Sequence, residues 1–177
     1  MSQKQFSIKE VQKEDWSLLK QLVDEVWPAT FKDILSEAQI SYMMEMMYSI
    51  TSLKKQTGTG SVFYLLYDSE VAVGYLAIIP HYSDERLNAE ATLTKVDKIY
   101  VLPKTQGAGA GRFLMDFAFA EAKKAGDGGV MLNVNRGNNA VSFYEYYGFK
   151  NSYSADFDIG NGYLMEDYIM YYPFKNS

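Results

Sequence analysis

V-D-K-I-Y-V-L-P-K-T-Q-G-A-G-A-G-R, residues Val96–Arg112, changes character twice. An alternating strand runs to Pro103, a glycine-rich turn follows, and apolar residues then recur at helical spacing from about Gly111. A turn of this kind at a helix N-terminus gathers unpaired backbone N–H groups and the positive end of the helix dipole. The stretch therefore predicts a seat for a phosphate-bearing ligand. Two nucleotide patterns fail on it. A dinucleotide fingerprint needs G-x-G-x-x-G, but Gly109 and Gly111 are followed by Leu114 where the third glycine belongs. A Walker loop ends in G-K-[ST], and here the chain reads G-R-F.

Composition limits what the motif can mean. The chain has 177 residues, 47% of them hydrophobic, which suits one packed domain and leaves little for a second core. It has no cysteine, which excludes disulfides, thiolate zinc sites and a cysteine nucleophile. A single histidine excludes a multi-histidine metal site. The opening M-S-Q-K-Q-F-S-I-K-E lacks the apolar core of a signal peptide, and no apolar run reaches the length of a membrane span, so a cytoplasmic protein is expected. The net charge of -5 argues against nucleic acid as a partner and sits more easily with a cationic one.

Upstream of the motif, Phe6, Ile8 and Val11 predict a short strand. Trp16, Leu19, Val23 and Val26 predict a helix over 15–27 that Pro28 ends. Ser36 opens a second helix with the capping-box pattern S-E-A-Q, and its stripe of Ile40, Met43, Met44 and Met47 reads as core packing. L-K-K-Q-T-G-T-G-S reads as loop. V-F-Y-L-L-Y and V-A-V-G-Y-L-A-I-I flank D-S-E and predict a tight hairpin, with Gly74 marking a bulge. Nothing near His81 in sequence orients its ring, which makes it a solvent-facing loop residue. Downstream, the helix from Gly111 closes at G-D-G-G, and V-M-L-N-V is a compact buried strand. N-R-G-N-N-A-V-S-F-Y-E-Y-Y-G-F is a loop and a short helix with a glycine stop, and Lys150 to Phe174 predicts two strands joined at Asn161-Gly162. The order is βααβββαβαββ, in one domain over 1–177.

In Q-G-A-G-A-G, Gln106, Gly109 and Gly111 stand in the spacing Q-x-x-G-x-G. With V-L-P before it and N-x-A-x-x-F-Y-E-x-x-G-F from Asn138 after it, the chain resembles the GNAT superfamily of acetyl-CoA-dependent N-acetyltransferases. The resemblance covers most of the chain. It implies an α/β (α+β) single-domain GNAT fold, a mixed, mostly antiparallel twisted sheet of about seven strands flanked by about four helices. F-D-I-G-N-G-Y-L-M-E-D-Y-I-M and F-K-D-I-L-S-E look like bacterial members related to small-amine and polyamine acetyltransferases.

The resemblance also implies roles. Acetyl-CoA would be the cosubstrate, with no metal. Gln106, Gly107, Ala108, Gly109, Ala110, Gly111 and Arg112 would hold its pyrophosphate, where glycine lets backbone approach phosphate closely. Backbone of Ile99, Tyr100 and Val101 would pair with the pantetheine arm and offer an N–H to the thioester carbonyl. Asn138 would bond the pantetheine, while Asn139 beside it suits a helix N-cap, and the sequence leaves the division open. Tyr144 would protonate the departing thiolate. The family's glutamate base falls on Lys95 here, which leaves Asp97 as the nearest carboxylate, or a water chain in its place. Trp27, Phe31, Tyr42 and one of the adjacent acids Glu166 and Asp167, with Asp167 as the choice, would face an alkyl-ammonium acceptor. The expected reaction is direct attack by a primary amine, and homodimers are common in the family. The alternatives are a non-catalytic acyl-CoA-binding module of the same fold and a protein or peptide N-acetyltransferase.

Overall fold

The computed structural model describes residues 5–175. Among them, seven strands and five α-helices follow in order. The first half comprises β1 (Phe6–Glu10), α1 (Trp16–Phe31), α2 (Glu37–Tyr48), α3 (Ile50–Gly58), β2 (Val62–Asp68) and β3 (Val71–Tyr82). The second comprises β4 (Leu93–Val101), α4 (Ala110–Lys124), β5 (Gly129–Asn135), α5 (Ala140–Tyr147), β6 (Lys150–Gly160) and β7 (Tyr163–Pro173). The strand order is β1-β2-β3-β4-β5-β7-β6. β4 and β5 run parallel, and the pairs β1–β2, β2–β3, β5–β7 and β6–β7 are antiparallel, which is the expected mixed sheet.

The chain divides into two compact units. One holds the described residues up to Ile79 together with Lys98–Ala118. Its core joins Leu19, Val23 and Val26 of α1, Ile40 and Met43 of α2, Leu65, Leu66 and Leu76 of the β2–β3 hairpin, and Leu114 and Met115 of α4. Ser69 turns the hairpin with φ 57°. Leu66 pairs with Gly74 but Tyr67 pairs with Ala72, so Val73 is the extra residue of a bulge beside the predicted glycine. Gly74 has a reason to lack a side chain, since a Cβ there would lie 2.6 Å from the Tyr100 carbonyl oxygen.

Two sequence expectations fail in this unit. Pro28 does not end α1; it lies inside it. Proline removes one helical N–H bond, but the next turn is held by burial of Trp27 and Phe31, whose rings stack at 4.4 Å, and by the Thr30 hydroxyl on the Val26 carbonyl at 2.8 Å. The stretch read as loop is mostly α3, which brings the helices among the described residues to five. The Ser49 hydroxyl accepts from the Ser52 N–H, Leu53 is fully buried, and the Gln56 carboxamide donates to the Met47 carbonyl at 2.7 Å. Tertiary anchoring thus outweighs the weak helical propensity of a Thr- and Gly-rich stretch.

The other unit holds Pro80–Asp97 and the described residues from Phe119 onward. Leu93, Met131 and Ile169 form a buried cluster on one sheet face. Phe119 of α4 packs with Tyr147, Phe149 and Tyr172, its ring 4.9 Å from that of Tyr172. Asn161 and Gly162, both at positive φ, join β6 to β7 as predicted. His81 is not a loop residue, because it lies within β3 at φ 55°. Its N–H donates to Asp127 Oδ2 at 3.0 Å and its ring meets Asp127 Oδ1 at 3.2 Å, although the side chain stays largely exposed, as expected.

Candidate functional site

The glycine turn belongs to the first unit. After a single 3-10 turn over Pro103–Thr105, residues 106–109 are exposed, and the Phe113 N–H to Gly109 carbonyl bond at 2.9 Å starts α4. Gly107 and Gly109 stand at φ 79° and 85°, and a Cβ added to either would meet nothing within 4 Å. Bare left-handed backbone therefore faces open space at the positive end of a helix, which fits a diphosphate. Ala110 is buried as the first helical residue, Gly111 is half-buried, and Arg112 is exposed on the first turn. Just upstream, Ile99, Tyr100 and Val101 are half-buried, and the Leu102 N–H bonds the Val73 carbonyl at 2.8 Å beside the bulge.

An aromatic cluster fills the same unit. Trp27 donates to the Tyr48 hydroxyl at 2.9 Å, which meets the Tyr75 hydroxyl at 2.8 Å. Tyr100 closes the cluster, its ring 5.4 Å from Tyr75, 5.8 Å from Trp27 and 6.3 Å from Phe31. Burial pushes the Tyr75 phenol up, and the neighbouring Tyr100 adds to the rise. Trp27 and Phe31, expected to face the acceptor, are buried here, while Tyr42 is half-buried on α2. Lys98 was not foreseen. It is 5% exposed, donates to Gln56 Oε1 at 2.7 Å and lies over the rings of Phe63 and Tyr48.

In the second unit, Asn138 opens the loop into α5. Its side-chain oxygen accepts from the Ala140 N–H at 2.9 Å, while Asn139 takes the N-cap position without a side-chain cap bond. The oxygen of Asn138 thus does the work expected of Asn139. Tyr144 is buried in α5 against Phe143 and Phe149, and burial holds its hydroxyl above the ordinary phenol range. Asp97 shares Lys95 as an ion-pair partner at 3.7 Å, and the same ammonium lies 5.0 Å from the Tyr82 ring centroid.

Glu166 and Asp167 separate as strand geometry requires. Glu166 is exposed and joins Asp156 around Arg136, whereas Asp167 is 3% exposed and its Oδ2 has no hydrogen-bond partner. Burial pushes the Asp167 carboxyl up to about 6 against a hydrogen bond from Asn133 and the fields of Lys95 and Arg136.

With this geometry the chain can be compared with known proteins. Residues 23–168 match the family model of the acetyltransferase (GNAT) domain. The chain belongs to the GNAT acetyltransferase family. Among solved structures, it is similar to the PaiA N-acetyltransferase from Thermoplasma acidophilum in complex with coenzyme A, at 23% identity and TM-score 0.75, over 96% of this chain and 99% of that one. It is similar to the ribosomal-protein-S18-alanine N-acetyltransferase from Escherichia coli, at 16% identity and TM-score 0.68, over 98% and 96% of the two chains. It is also similar to Arabidopsis thaliana Naa50 in complex with a bisubstrate analogue, at 17% identity and TM-score 0.66, over 96% and 99%.

As a GNAT acetyltransferase the protein uses acetyl-CoA as cosubstrate. Sequence reasoning missed Lys98, Asn133 and Asp127 among the side chains that shape the two units. For Asn133 the signal was present, because it is a polar residue inside the otherwise apolar run V-M-L-N-V, whereas Lys98 shares its strand with Thr94, Lys95 and Asp97 and does not stand out there. No helix among the described residues is long and apolar enough to cross a membrane.

Proposed function

We propose that this GNAT acetyltransferase acts in the cytoplasm on a primary amine, with small amines and polyamines as the favoured acceptors. The bare backbone at Gly107 and Gly109 carries the reading, since its open space at the start of α4 suits the pyrophosphate of coenzyme A. When bound, acetyl-CoA supplies an activated acyl group as a thioester. Backbone of Gln106–Gly111 and the Arg112 guanidinium would hold its phosphates, and the strand segment Ile99–Val101 would offer N–H groups to the pantetheine and the thioester carbonyl. The Asn138 NH2 remains for the pantetheine when its oxygen is engaged by Ala140. The Tyr144 hydroxyl, kept protonated by burial, would give its proton to the leaving sulfur and then recover one from the new amide nitrogen. Trp27, Phe31 and Tyr42 would shape the acceptor side, the first two from beneath Tyr100. Net charge -5 favours a cationic acceptor.

A thiol-release assay over polyamines, amino acids, aminoglycosides and peptides tests the reading and separates it from peptide acetylation. Tyr144→Phe should lower kcat by about 100-fold or more while calorimetry finds acetyl-CoA affinity within about threefold. A Tyr144→Phe enzyme that turns over at the normal rate would sink the acid assignment. Coenzyme binding without thiol release on any acceptor would instead favour a non-catalytic module.

A further inference from the structure

The chain has one histidine, His81, and no role in acetyl transfer falls on it. The second unit holds it twice through one buried carboxylate. The His81 N–H donates to Asp127 Oδ2 at 3.0 Å, and ring Nδ1 meets Oδ1 at 3.2 Å. The Thr92 hydroxyl on Oδ1 at 2.6 Å and the Thr94 hydroxyl on Oδ2 at 2.7 Å already satisfy Asp127, so the fourth bond serves the ring rather than the carboxylate. Burial opposes the charge on Asp127, but the bonds from Thr92, Thr94 and the His81 N–H prevail and keep it ionised. An ionised carboxylate only accepts, so Nδ1 carries the proton and Nε2 the lone pair of the neutral ring. The side chain is 66% exposed although Nδ1 is held against a buried group, which leaves the Nε2 edge open to solvent. His81 also keeps φ 55° inside β3, a left-handed conformation that costs energy in a residue with a side chain.

What an oriented, open Nε2 can take follows from its surroundings. A metal ion needs several ligands, and no group of three or more His, Cys, Asp or Glu among the described residues could hold one. Acyl transfer needs N–H donors aimed at a developing oxyanion. The N–H groups beside the ring are engaged, that of His81 by Asp127, that of Asp127 by the Ala122 carbonyl and that of Gly128 by the Thr92 carbonyl. Phosphoryl transfer to an exposed nitrogen needs neither, because its loose in-line transition state leaves the charge on the phosphorus oxygens and depends mostly on positioning. The last turn of α4, just before Asp127, adds Lys123 and Lys124 as cations for a dianionic group. Asp84, three positions after His81, is occupied by the Tyr153 hydroxyl at 2.6 Å. We propose that His81 Nε2 is a phosphoryl-acceptor site for a small acyl phosphate, with Asp127 as the positioning residue that holds the ring. The Nε2 lone pair attacks phosphorus, the P–O bond to the acyl group breaks, and a carboxylate leaves with that electron pair. Nδ1 keeps its proton, and the positive charge gained by the ring lies against Asp127. The inference goes beyond the acetyltransferase reading and does not depend on it.

The test incubates the full chain with acetyl phosphate, and separately with potassium phosphoramidate, and follows it by phosphorus NMR and intact mass. The folded wild type should gain one phosphoryl group, as the Nε2 isomer, about tenfold or more faster than the same chain unfolded in urea. One histidine in the chain gives the signal one source. His81→Gln should gain none and keep the thiol release of the wild type. Asp127→Asn, with its unfolding transition checked, should lose most of the rate advantage or label Nδ1 as well. If that variant does not fold, the wild-type isomer and the ratio of folded to unfolded rates decide by themselves. Label on Nδ1 of the wild type, a rate no faster than that of the unfolded chain, full-rate Nε2 labelling of folded Asp127→Asn, or thiol release lost in His81→Gln overturns the proposal. Fast Nε2 labelling of a wild type that releases no thiol on any acceptor defeats the acetyltransferase reading alone.

Discussion

Asp127 and Asp167 are both buried carboxylates of the same unit, 5% and 3% exposed, and the protein treats them in opposite ways. Asp127 follows α4 and accepts from the Thr92 hydroxyl at 2.6 Å, the Thr94 hydroxyl at 2.7 Å and the His81 N–H at 3.0 Å. Burial alone would raise it, but those bonds prevail and hold it below the ordinary carboxylate range. Asp167 has Asn133 and an unused oxygen, and it is pushed up to about 6. A carboxylate whose bonds are complete ties strands together. One whose bonds are incomplete costs stability until something binds it.

The largest effect should come from Asp127→Ala, which strands the buried Thr94 hydroxyl and takes the acceptor from the part-buried bonds of the Thr92 hydroxyl and the His81 N–H. Urea unfolding at pH 7.5 should show a loss of about 3 kcal/mol or more, summed from charge-assisted bonds worth roughly 1.5–3 kcal/mol each. The folded pKa of Asp127 is depressed, so its contribution is present above about pH 4, the ordinary carboxylate value, and disappears as pH falls through the depressed one. The wild type and the variant should therefore converge in acid. A loss below about 1 kcal/mol at pH 7.5 would erase the contrast.

Asp167→Asn should move stability the other way by a smaller amount. Its folded pKa is raised, so the ionised form burdens the fold fully above about pH 6 and not at all below about pH 4. The melting temperature should rise by a few degrees at pH 7.5, about 1 kcal/mol, and should not change near pH 4. A lower melting temperature at pH 7.5 would mean that the open oxygen is structurally engaged after all.

The smallest effect belongs to Arg136→Gln. Arg136 lies 2.8 Å from Asp156 and 3.5 Å from Glu166, two like charges that face each other across β6 and β7, and its field lowers Asp167. Carbon-detected titration of the Asp167 carboxyl should move upward by roughly 0.3 pH units in the variant at low salt and by less at about 0.5 M salt. A downward move would contradict the sign of that field.

The contrast also marks where sequence reading succeeds. Local features were legible because their causes are local. The Asn161-Gly162 and Ser69 turns, the Ser36 cap and the glycine turn before α4 each depend on a few adjacent residues. Asp127 was read only as part of the closing G-D-G-G because its partners stand 33 to 46 positions away in the chain. The same distance hid α3, whose Gln56 side chain reaches Lys98 of β4. Pro28 misled for a related reason, since two buried rings set the end of α1 and not the local rule. For Asp167, strand alternation established that only one of the adjacent acids could face inward. Which one depended on register with β5.

One further consequence lies in the indole of Trp27. The chain has two tryptophans, Trp16 half-buried and Trp27 2% exposed with its N–H donated to Tyr48. Trp27 has the Tyr100 ring 5.8 Å away, on the strand segment next to the glycine turn. Its emission should be blue-shifted and fed by energy transfer from the surrounding tyrosines, and Trp27→Phe would leave only the redder signal of Trp16. Any ligand that shifts Tyr100 would register in that blue component, giving the protein a built-in optical gauge that needs no attached dye.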